Sequence, residues 1–183
     1  HGAWEADPQY PGDGNQMTAL ASCADLASHE WTIFKNLKLG EVSVHDIVPV
    51  LPTTRKPWMH SASSYHAVAR LADGRWLAFL RGTPVNGLPK LGFATSTDGR
   101  KWQYFDQNPV IHQNQRGRRY RGIYRPGFVG YLGKNRKKED EYLLVWTESP
   151  AAGDVPEPHY GYTTDFVKIR RDRRGYAKWP AGD

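Results

Sequence analysis

Glu148 ends the apolar run Leu143-Leu144-Val145-Trp146-Thr147 and is the residue of this chain best placed for proton transfer. A carboxyl group there serves as a general acid if it stays protonated, or as an ion-pair partner if an arginine reaches it. The arginines in question are Arg81 and Arg125. His60, His66 and His159 each carry an imidazole for acid–base work or hydrogen bonding, although a lone histidine more often serves structure. Arg81, Arg121 and Arg125 bring planar guanidinium groups, which bind a carboxylate or sulfate through two parallel hydrogen bonds. Asp46, in His45-Asp46-Ile47-Val48-Pro49, is the best second carboxylate, with a plain turn aspartate as its alternative.

What brings such scattered residues together is a repeat. Leu91-Gly92-Phe93-Ala94-Thr95 alternates as a strand and runs into Ser96-Thr97-Asp98-Gly99-Arg100-Lys101-Trp102. A weaker copy is Tyr160-Gly161-Tyr162-Thr163-Thr164-Asp165-Phe166-Val167-Lys168-Ile169, with Gly92 and Phe93 set against Gly161 and Tyr162, and Asp98 against Asp165. A third begins at Leu20, with Asp25 and Trp31 in the places of Asp98 and Trp102. Upstream, Trp76 to Leu80 matches Tyr142 to Trp146. Four short runs per unit, about 60 to 67 residues apart, are the pattern of β-propeller blades.

The expected organisation is an irregular arm over 1–16 and a partial propeller over 17–183, with a half blade at 17–50 and full blades at 58–111 and 121–180. In blade two the strands are Ser64 to Leu71, Arg75 to Arg81, Lys90 to Ser96 and Trp102 to Asp106, with Ala72-Asp73-Gly74 as a tight turn. In blade three they are Phe128 to Leu132, Glu141 to Thr147, His159 to Thr163 and a short run near Val167 to Arg170. Strand direction then gathers His60, His66, Arg81, Arg121, Tyr124, Arg125, Glu148 and His159 at one mouth of the central channel, with Glu148 their only carboxylate. About two and a half blades do not close a ring, so the chain is expected to be a piece of a longer protein, to be completed by a second chain or a further copy of itself, or to cap its open edges by an unusual arrangement.

The Ser96–Trp102 motif resembles the blade motif of five-bladed β-propeller glycoside hydrolases, the arabinanase, xylosidase, invertase and anhydrogalactosidase group. The similarity covers roughly residues 17 to 180 and concerns blade architecture. The motif is also similar to the sialidase Asp-box, but Gly99 follows Asp98 directly and shortens it by one residue. The resemblance implies an all-β propeller that hydrolyses a poly- or oligosaccharide, which takes two carboxyl groups flanking the scissile bond. Glu148 is then the candidate acid, Asp46 and His60 its catalytic companions, and Arg81, Arg121, Tyr124, Arg125, His159 and His66 the sugar-binding set. Trp58, Tyr65, Tyr120 and Tyr124 are of the type that stacks on a pyranose, although packing buried within a blade is the commoner use of such side chains. A carbohydrate-binding or assembly propeller without turnover is the alternative.

Composition narrows the rest. Seven Trp, ten Tyr, 18 Gly and 13 Pro describe strands and turns rather than helices. No apolar run approaches the roughly 20 residues that span a bilayer, so no membrane partner is expected. The single Cys23 excludes an internal disulfide and a thiolate metal cluster, and is expected inside a strand; neither metal nor cofactor is expected. The first residue is His1 rather than Met, which reads as a processed start and is compatible with a secreted or periplasmic protein. Of the net charge of +6, all lies beyond residue 100, in clusters at Arg116–Arg121, Lys134–Lys138 and Arg170–Arg174. These suit an acidic glycan or water; no nucleic-acid-binding motif accompanies them, so nucleic acid is not an expected partner.

Overall fold

The structure is a computed structural model that describes residues 2–3, 16–17, 21–25, 27, 30–33, 37–38, 51, 56–59, 62–84, 88–111, 122–149 and 155–171. Its described elements are strands: β1 Gly2–Ala3, β2 Gln16–Met17, β3 Ala21–Ser22, β4 Thr32–Ile33, β5 Leu37–Lys38, β6 Ala62–Arg70, β7 Trp76–Thr83, β8 Lys90–Ser96, β9 Gln103–Tyr104, β10 Gly122–Lys134, β11 Asp140–Ser149, β12 Glu157–Thr163 and β13 Arg170–Arg171. They form two antiparallel four-stranded meanders, β6-β7-β8-β9 and β10-β11-β12-β13, with a three-stranded sheet β3-β4-β5 before them and a small β1-β2 pair. No helix among the described residues is long and apolar enough to cross a membrane. Cys23 falls just after β3, half-buried, rather than inside a strand.

The blade corners form because short polar side chains replace the backbone partners a tight turn loses. Ser96 Oγ accepts from the Gly99 amide at 2.8 Å, and Asp98 Oδ1 accepts from the Arg100 and Lys101 amides, each at 2.8 Å. Those amide bonds hold the Asp98 carboxyl well below its ordinary value, at about 2. Gly99, at φ 72°, supplies the left-handed turn residue, and Trp102 Nε1 donates to its carbonyl at 3.0 Å. In the next blade Thr163 and Asp165 make the same bonds to Phe166, Val167 and Lys168. Phe166 takes the left-handed conformation there at φ 58°, and its buried ring packs on Phe93 and Tyr142 at 5.3 and 4.9 Å, which offsets the strain of a side chain at that φ.

The sheets stack face to face. Leu77, Phe79, Leu91 and Phe93 of the first meander meet Ile123, Val129, Tyr142, Leu144, Trp146 and Phe166 of the second in one core. The opposite face of the first meander, Ala78, Leu80 and Ala94, is covered by Leu51, Trp58 and Met59. Corner register sets Ser96 opposite Trp76 and Thr163 opposite Tyr142, so Phe93 corresponds to Tyr160 and Gly92 to His159. This corrects the sequence pairing of Gly92 with Gly161 by two residues.

The first strand of blade three is far longer than the expected Phe128 to Leu132. It runs over 13 residues because register shifts near Tyr124, Gly127 and Leu132 absorb the extra chain, and because an edge strand tolerates Pro126. Trp58 takes the commoner of the two uses expected for it, blade packing: it is buried, and its ring lies where Cβ atoms on Gly82 and Gly92 would sit. Gly82→Ala is therefore expected to lower the unfolding free energy by about 1–3 kcal/mol in a urea melt, the usual range for overpacking a core; unchanged stability would contradict this packing.

Candidate active site

Side chains alternate across a strand, so Arg81, two residues beyond Phe79, returns to the face of the first meander that packs on the second. Glu148, two residues beyond Trp146, returns to the facing side of the second meander by the same rule. Because β7 and β11 are equivalent strands of the repeat, Arg81 and Glu148 approach the same end of the seam between the blades. Register adds two more groups. Trp146 lies opposite His159 and Glu148 opposite Glu157, and opposed residues of an antiparallel pair share a face, with Cβ atoms roughly 4.5–5.5 Å apart.

Glu148 is 3% exposed. Its Oε1 accepts from Trp146 Nε1 at 2.8 Å, and its Oε2 lies 3.8 Å from His159 Nε2. The His159 ring stacks on the Trp146 indole at 6.1 Å between centroids and 22° between planes, which fixes the imidazole beside the carboxyl group. His159 Nε2 is buried and makes no hydrogen bond among the described residues.

Glu157 was not legible as a site residue, because the sequence places the start of this strand at His159 while the structure starts it two residues earlier. Glu148 is thus not the only carboxylate at this end. Counting register back from the Thr163 corner finds it. Arg125 departs in the other direction: it is exposed, opposite Thr147, while its neighbour Pro126 pairs with Trp146 on the Glu148 side. Tyr124 is the extra residue between the Ile123–Glu148 and Arg125–Thr147 pairs; its side chain, with the whole of Asp46, His60 and Arg121, lies outside the described residues.

His66 sits in a β-bulge, where Tyr65 and His66 together oppose Leu80. Burial lowers its pKa from 6.5 to about 4, so it meets neighbours as a neutral hydrogen-bonding ring. Among the described residues no three His, Cys, Asp or Glu side chains gather as metal ligands.

No family model matches the chain, and no curated protein matches it. Solved structures do. The fructan 1-exohydrolase IIa of Cichorium intybus superposes with a TM-score of 0.60 at 15% identity, over 91% of this chain and 28% of that one. BT0996, in a complex with RGII, gives a TM-score of 0.57 at 18% identity over 85% and 42%. A glycosyl hydrolase from Bacteroides ovatus gives 0.50 at 19% identity over 66% and 33%. The likeness is one of fold: this is a β-propeller of the kind found in glycoside hydrolases. The chain spans less than half the length of each of these proteins.

A histidine whose folded pKa lies below its ordinary value contributes stability that is present above about pH 6.5 and is lost as the pH falls toward 4, because the unfolded chain takes up the proton first. Between about pH 7 and pH 5 the His66 contribution falls by about 2 kcal/mol. Urea melts at the two pH values are expected to show this drop, and His66→Gln to lack it; an equal drop in the variant would contradict the assignment.

Proposed function

We propose that this chain forms the site-bearing part of a propeller glycoside hydrolase that acts on a poly- or oligosaccharide at the channel end of the seam between its two full blades. The observation that carries the reading is the cross-strand pair Glu148–Glu157 beside His159, in a propeller fold that glycoside hydrolases use. Hydrolysis of a glycosidic bond needs one carboxyl group to protonate the departing oxygen and another to act as base or nucleophile. Glu148, buried and steadied by Trp146, is assigned the acid; Glu157, half-buried, is assigned the second role. Their neighbouring positions match the short carboxyl separation of the two-step, covalent route better than the wider spacing that leaves room for a water. His159 steadies Glu148, and Arg81 binds a carboxylate or hydroxyls of the sugar. Asp46, His60, Arg121 and Tyr124 remain in the proposed site on sequence grounds, and His66 is assigned to the bulge beside it.

A carbohydrate-binding propeller without turnover is the second reading, favoured by the Trp146 bond to Glu148, which gives the buried carboxylate a structural use. Glu148→Gln and Glu157→Gln separate the two. On a panel of aryl glycosides and acidic oligosaccharides, each variant is expected to lose at least about 100-fold in kcat while sugar affinity holds. Turnover that survives Glu148→Gln overturns the acid assignment, and sugar binding with no wild-type turnover establishes the binding propeller.

A further inference from the structure

A basic cleft lies at the other end of blade three. The β10–β11 hairpin and the Thr163 corner enclose a cleft of about 610 Å³, within the size range of ligand pockets. Its walls include Lys134, Arg136, Lys137, Lys168 and Arg170 against Glu139 and Glu141, five cations to two carboxylates. Both carboxylates are engaged. Glu141 accepts from Arg170 at 3.2 Å, and Glu139 accepts from Asn135 Nδ2 at 3.0 Å. Lys134 is held by Asp140 at 2.8 Å. No ion pair among the described residues involves Arg136, Lys137 or Lys168.

These three cations are presented by ordered turns. Asn135 Oδ1 accepts from the Lys137 and Glu139 amides at 2.8 and 3.0 Å, with Lys138 left-handed at φ 64°, which fixes the hairpin tip. The Lys168 amide is tied to Asp165 at 2.8 Å. Like charges so gathered repel one another, and an anion in the cleft relieves that repulsion.

We propose that this cleft binds an acidic oligosaccharide, one carrying carboxylate or sulfate groups, as a site separate from Glu148. Along β11 the two lie seven residues apart, from Glu141 to Glu148, or about 23 Å of strand. The proposal stands whether or not Glu148 is catalytic. A single-stranded nucleic acid fits less well, since base stacking needs an open aromatic face and the Arg170 guanidinium already lies over the Tyr162 ring at 5.3 Å.

The test is affinity electrophoresis of the protein through gels containing polygalacturonate, a sulfated polysaccharide or neutral dextran, with an oligodeoxynucleotide titration alongside. Arg136, Lys137 and Lys168 are changed together to Ala in one variant, and Glu148→Gln is the control. Wild type and Glu148→Gln are expected to be retarded by at least one acidic polymer and not by dextran, with the retardation lost in high salt and weakened at least tenfold in the triple variant. Lys137→Glu, at the exposed hairpin tip, is expected to weaken it in the same direction, and both variants to keep the wild-type circular dichroism. Equal retardation of the triple variant, no retardation by any acidic polymer, or tighter binding of the oligonucleotide than of either polymer would overturn the proposal; which acidic polymer binds separates carboxylate from sulfate recognition.

Discussion

The seam between the two four-stranded meanders holds Trp146, and through it Glu148 and His159, in place. Its centre is aromatic: Phe79 stacks on Phe93 at 4.9 Å, Phe93 meets Phe105 and Phe166, and Tyr142 closes on Phe166 at 4.9 Å. Each such contact contributes about 0.5–1.5 kcal/mol beyond the burial of the rings. The Ala72 amide donates to the Tyr142 hydroxyl at 3.0 Å and pins the β6–β7 turn to the neighbouring blade. Two sheets locked in this way have a fixed offset, and Arg81 and Glu148, one strand step beyond the seam, inherit it. A buried carboxylate needs such rigidity, because its bond to Trp146 exists only while the indole is held.

The repeat also shows how a structural position becomes a chemical one. Glu148, Glu157 and His159 of blade three occupy the places of Gly82, Lys90 and Gly92 in blade two. In blade two the glycines leave room for the Trp58 ring, and Asn108 bonds both the amide and the carbonyl of Phe93, so the space is filled with packing. In blade three the same places carry two carboxyl groups and an imidazole. One backbone pattern thus makes an aromatic plug in one blade and a polar cluster in the next, and the difference lies in whether the strand ends with glycines.

Much of the fold was legible because blade corners are local. Ser96, Asp98 and Gly99 encode their turn within four residues, and Thr163 and Asp165 repeat it, so the two meanders followed from the chain alone. The limits of the strands did not, since they depend on pairing. β10 extends through Pro126 and Gly127 by shifting register against β11, and β12 begins at Glu157 because Glu148 lies opposite. Those two facts moved the candidate site: Arg125 turned away from Glu148, and Glu157 entered. That Glu148 and His159 lie side by side was legible from the repeat because it depends on strand direction, which the corners fix.

The central claim is that Glu148 faces a bound sugar rather than serving only the seam. A crystal structure of the Glu148→Gln variant soaked with an acidic oligosaccharide tests this most directly. The expected result is a glycosidic oxygen within hydrogen-bond distance of the substituted amide at position 148, with His159 and Glu157 lining the same sugar ring. A sugar bound elsewhere on the blade, with that amide enclosed by Trp146 and out of its reach, would contradict the claim.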